Sequence, residues 1–176
     1  MALVLNGSGS ITGLSAGGLP DGSVTADDIA SLPAGSVLQV VQGSMSSQVV
    51  GSGLSATWGT TGLSASITPS STSNKVLVLI DTYANSEGAN YNKVQVGIFR
   101  GSTELKASKV THDTDGTCHN HYISYLDSPS TTSSTTYSMK VNDADGDGGT
   151  CYINKGSNTN RMDVYTSTIT LMEIAA

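Results

Sequence analysis

The residues of this chain whose types and spacing could do chemistry are three: a pair of imidazoles, a run of aspartates and a pair of thiols. His119-Asn-His121 puts two imidazoles on one side of a strand, because strand side chains alternate with period two. If that side lined a threefold axis, three chains would offer six nitrogens to one transition-metal ion. The same side can equally face solvent or a neighbouring subunit. Asp143-Ala-Asp145-Gly-Asp147-Gly148 matches the opening of a calcium loop, with oxygens at alternating positions and glycine at the sixth. Its twelfth position is Asn154, which lacks a bidentate carboxylate, and no helices flank the run. The plain alternative is an acidic, glycine-rich hairpin between strands ending at Val141 and starting at Cys151, since both residue types suit turns. His112, Asp113 and Asp115 fall nearby, in what reads as an exposed loop.

Cys118 and Cys151 each follow a Gly-Thr pair at the start of a predicted strand. Two buried, reduced thiols are the simplest reading, and a disulfide would require the two strand starts to pair. Hydrolytic chemistry lacks its parts: there is no G-x-S-x-G elbow, and Glu87, Glu104 and Glu173 stand alone. A glycosidase would need two carboxylates brought together by the fold, and nothing in the sequence supports that. The chain reads as non-enzymatic. Tyr83, Asn85, Tyr91, Asn92, Asn158 and Asn160 have the chemistry of sugar contacts and lie in or beside predicted loops.

Almost everything after residue 36 reads as β-strand. The strongest strand is 75–83, whose continuous apolar run predicts a central position or burial on both faces. Residues 92–100 alternate, with Val94, Val96 and Ile98 on one side. Further strands are predicted at 37–42, 63–68, 103–105, 118–126, 136–141, 151–154 and 163–174, and Trp58 is the one large anchor in a Gly/Ser-rich stretch. Many short strands separated by turn residues predict an all-β protein, an antiparallel β-sandwich or jelly roll.

The first 36 residues differ. Leu3, Val4, Leu5, Ile11 and Leu14 are scattered among glycines and serines, too irregularly for a helix or strand face. Such a segment orders against something else or not at all. The one credible helix is 25–32, with Thr25 as cap, Asp27 and Asp28 in its first turn, and Pro33 and Gly35 to stop it. The expected organisation is an extended anchoring segment, 1–36, and a β-head, 37–176.

Charged residues are only 12% of the 176, about half the usual share. A net charge of −6 with scattered basic residues argues against nucleic-acid binding. No apolar run is long enough for a spanning helix, which argues against membrane insertion, and no signal peptide is visible. Synthesis and assembly in a cytoplasm are expected.

Several pieces resemble tailed-bacteriophage virion proteins, small fibre and appendage proteins of marine and cyanobacterial phages in particular. They are LVLNGSGSITGLSAGGLPDGSVTADDIA (3–30), GSVLQVVQ (35–42), SITPSSTSNKVLVL (66–79), YLDSPSTTSSTTYSMKV (125–141), TCYINKG (150–156) and STITLMEI (167–174), in the same order as in that group. The resemblance implies a virion structural protein with a jelly-roll head, assembled as a homotrimer. It also implies a tail or baseplate fibre docked to other virion proteins through residues 1–36, with Leu3, Val4, Leu5, Ile11 and Leu14 as the docking contacts. A host-adhesion role through a surface glycan would follow from a fibre's position. Rival expectations are a capsid decoration or cement protein and a carbohydrate-binding adhesin. No cofactor is implied beyond a calcium or transition-metal ion at the two sites above.

Overall fold

The run Val76-Leu-Val-Leu-Ile80 and the alternation of Val94, Val96 and Ile98 set the architecture, since each needs another layer to bury its apolar face. The computed structural model describes residues 32–52, 57–87, 92–112, 119–143, 150–155 and 165–176. The chain divides into Met1–Pro33 and Ala34–Ala176, and all described strands belong to the second part. They are β1 (Val37–Met45), β2 (Val49–Ser52), β3 (Gly59–Ile67), β4 (Lys75–Glu87), β5 (Asn92–Arg100), β6 (Thr103–His112), β7 (His119–Asp127), β8 (Thr135–Asp143), β9 (Thr150–Ile153) and β10 (Ser167–Ile174).

One sheet runs β1-β10-β4-β7 and the other β3-β8-β5-β6, all antiparallel. Among the described strands the chain crosses between sheets at six of nine connections, staying in one sheet only at β1–β2, β5–β6 and β9–β10, and the resulting strand order is that of a jelly roll. The short β2 and β9 pair with each other, and β9 continues along β4 past the end of β10.

Between the sheets, Val76, Val78 and Ile80 of β4 and Leu171 of β10 meet a second apolar layer that includes Val94, Val96 and Ile98 of β5, each 2% exposed or less. Burying each such side chain stabilises by about 1.5–3 kcal/mol. At Gly43 the layers approach closely: a β-carbon there would lie 2.3 Å from the Ser64 carbonyl oxygen.

Buried polar groups tie the strand ends. Asp127 of β7 accepts hydrogen bonds at 2.7 Å from Arg100 Nη1 and from the Tyr137 hydroxyl, linking one sheet to the other. At the opposite end Asn154, at φ 57°, donates to the Met45 carbonyl at 2.8 Å and accepts from Ser167 Oγ at 2.7 Å. Ser167 in turn pairs with Thr82 at 2.7 Å. Apart from Arg100, whose side chain is 32% exposed, these side chains are almost wholly buried, so their hydrogen bonds offset a desolvation cost that would otherwise oppose folding.

The all-β sandwich and the central position of β4 are as the sequence predicts. Other details differ. β2 lies in a stretch too glycine-rich and short to read as a strand, and it forms because β9 offers it a partner. β6 runs to His112, well past the predicted 103–105 and through a residue expected in a loop. The segment between β8 and β9 is no hairpin, because those strands belong to different sheets. Residues 1–31, which include Leu3, Val4, Leu5, Ile11, Leu14 and nearly all of the predicted helix, lie outside the described residues.

Candidate functional site: an uncovered sheet face

The two outer faces of the sandwich are finished differently. On the β3-β8-β5-β6 sheet, Phe99 points away from the inter-sheet core yet is only 3% exposed. Trp58 covers it edge to face, with ring centroids 5.1 Å apart, and Lys140 Nζ sits 4.2 Å from the Phe99 ring centre. Trp58 is fixed by donating to Glu104 Oε2 at 3.0 Å. It can lie against β5 because residue 97 is glycine, where a β-carbon would come within 2.8 Å of the indole.

The β1-β10-β4-β7 sheet has no such cover among the described residues. Its register aligns Val40 with Met172, Met172 with Leu77, and Leu77 with Leu126. Alternation places all four on the outer side, forming an apolar row across four strands. Val40 is 57% exposed and Leu126 48%. The row is flanked along β4 by exposed Lys75 at one end and exposed Asp81 at the other. Beside Asp81, a groove of about 440 Å³ is lined by Leu79, Tyr122, Ser124, Thr168 and Thr170. Tyr122 there is 70% exposed, and its hydroxyl accepts from Asn120 Nδ2 at 3.2 Å.

The residues singled out in the sequence fall elsewhere. His121 is 4% exposed and points into the sandwich with Ile123, not outward to a subunit axis. His119 opens β7, but its side chain lies outside the described residues. Asp143 ends β8 and is 4% exposed, whereas Asp145 and Asp147 lie outside the described residues. Among the described residues no three His, Cys, Asp or Glu side chains gather as a metal site. Cys151 is a free thiol, 1% exposed, and Cys118 lies outside the described residues. Burial, and secondarily the charge of Asp143, push the Cys151 thiol up to about 12.

The sugar-contact candidates are also displaced. Tyr83 and Asn85 are inside β4, not in a loop. Tyr83 stacks on Tyr165 with ring centroids 3.8 Å apart. Asn85 is fully buried, and neither its side-chain nitrogen nor its oxygen has a hydrogen-bond partner among the described residues. Tyr91, Asn158, Asn160 and the side chain of Asn92 lie outside the described residues. Glu173, which stands alone in sequence, is a buried structural carboxylate with donors from Gln39, Ser70 and Asn74. The uncovered face itself could be anticipated only in fragments, since its row draws on residues 40, 77, 126 and 172.

No family model matches the chain, and no curated protein matches it. Among solved structures it is similar to the infectious bursal disease virus VP2 subviral particle, at 12% identity and a TM-score of 0.38. The match covers 78% of this chain and 38% of that one, so the chain spans well under half the length of that neighbour.

Proposed function

We propose that this chain is a non-enzymatic structural component of a tailed-bacteriophage virion, a tail or baseplate fibre that forms a homotrimer and docks through residues 1–36. The uncovered apolar face carries the reading. A domain that covers one outer face with Trp58 and, among the described residues, leaves Val40 and Leu126 exposed on the other is suited to be covered by a partner. Low charge and the ordered blocks that resemble those of phage appendage proteins support the same reading. Three copies of a weak anchor would hold a particle firmly where one would exchange. Docking partners would be other virion proteins, with assembly in the host cytoplasm.

Gold-labelled antibody against the head, imaged on intact virions, tests this. Label on the tail or baseplate supports the fibre, label over the shell would make the chain a capsid decoration protein, and absence from particles refutes both. A second reading, the carbohydrate-binding adhesin, is favoured by one observation: exposed Tyr122 beside Asp81, Ser124 and Thr168 is an aromatic and hydroxyl combination suited to a sugar ring. Glycan-array binding that Tyr122→Ala abolishes would support it.

A further inference from the structure

We infer that the outer face of the β1-β10-β4-β7 sheet is where copies of this chain pack on one another, head to tail around a threefold axis. This rests on the trimeric reading above and specifies its interface. The first argument is charge. Along the outer side of β4 the order is Lys75, Leu77, Leu79, Asp81, so the apolar row is bordered by a cation on one flank and an anion on the other. When three such faces enclose an axis, the Lys75 flank of each copy meets the Asp81 flank of the next. Like-charged flanks would repel in that arrangement, whereas opposite ones fix the register.

The second argument is size. Six residues of strand span about 20 Å between Lys75 and Asp81. Three faces of that width close into a triangle whose sides lie about 6 Å from the axis, and packed sheets interdigitate at a half-spacing of about 5 Å. The row of Val40, Met172, Leu77 and Leu126 therefore has room to fill the axis and little room for water. The third argument is the contrast between faces: Trp58 and Lys140 cover Phe99 on the other sheet, and no described side chain does this here.

Light scattering on the full-length chain tests the inference, using Val40→Asp and Leu126→Asp together and the charge variants Lys75→Glu and Asp81→Lys. Both apolar positions are about half exposed in the single chain, so circular dichroism should show the variants folded. The expected result is a three-chain mass for the native protein and a single-chain mass for V40D/L126D. Each charge reversal should raise the dissociation constant at least tenfold, and the double reversal K75E/D81K should restore it. A native trimer that none of these variants affects would overturn this interface and leave the trimeric reading intact. A native single-chain mass would overturn both. A native two-chain mass would overturn the threefold packing, even if the variants split it. Glycan binding in the groove of an intact trimer, lost in Tyr122→Ala, would also overturn it, because the packing buries that flank.

Discussion

The carboxylate of Glu173 accepts a hydrogen bond from Asn74 Nδ2 at 2.6 Å across a separation of 99 residues. Ser70 donates to the same oxygen twice, from its backbone nitrogen at 2.7 Å and its hydroxyl at 2.8 Å, and Gln39 donates to the other oxygen. One buried anion thus ties β1, β10 and the turn before β4. Asn74 extends the tie by accepting from the backbone nitrogen of Ala176 at 3.2 Å.

Removal from water raises the Glu173 carboxyl, but the donors outweigh it and hold it below its ordinary value of 4.5. A carboxyl depressed in the folded state stabilises fully above its unfolded value and ceases to do so as pH falls through the folded one. The native head should lose stability on acidification below pH about 4.5. Glu173→Gln should be less stable at pH 7 by about 2–3 kcal/mol and show a flatter acid limb in urea melts.

Asp127 and Tyr137 form a second tie with the opposite pH sense. Burial first, then the hydrogen bond and charge of Asp127, raise the Tyr137 hydroxyl far above its ordinary value of 10.0. A proton retained longer in the folded state destabilises it as pH climbs past the unfolded value. Tyr137→Phe should cost about 1 kcal/mol at pH 7 and weaken the decline above pH about 10. Asp127→Ala, which strands the buried hydroxyl, should cost about 2–3 kcal/mol. Thermal melts across the pH range measure all three effects.

Gly43 should be intolerant of any side chain. A methyl there would meet a backbone oxygen, which cannot rotate aside, so Gly43→Ala must separate β1 from β3. The expected loss is about 1–3 kcal/mol by chemical denaturation. A neutral result would mean that the layers slide apart freely at that point.

Cys151 should resist thiol reagents while the head is folded. With its thiol raised to about 12, almost no thiolate forms at neutral pH, and burial blocks access as well. Peptide mapping after iodoacetamide treatment should find residue 151 unlabelled in native protein and labelled in 8 M urea.

Much of this fold is legible in the chain because local pattern and global role agree. The run Val76 to Ile80 announces a central strand, and the period-two spacing of Val94, Val96 and Ile98 announces one buried face. β2 was not legible, because four residues after a serine-rich turn carry too little pattern without sight of β9. The uncovered face was not legible either. Met172 and Leu77 read as ordinary strand residues until the register of β10 and β4 places them in line with Val40 and Leu126. Glu173 could not be told from a surface carboxylate because its donors sit far away in the chain, at positions 39, 70 and 74.

The pairing of β1 with β10 has a mechanical consequence. Gly35 donates to the Ala175 carbonyl at 2.8 Å and Ala175 donates to the Ser36 carbonyl at 2.9 Å, so the entry into β1 and the exit from β10 share one pole. Tension between residue 34 and the opposite pole, where β10 begins, loads the eight register pairs of β1 and β10 in shear, all at once. Tension between residue 34 and Ala176 would instead peel those pairs apart one at a time. In the fibre proposed above, a particle pulling on the segment before β1 while a host surface holds the far pole would apply force in the strong direction.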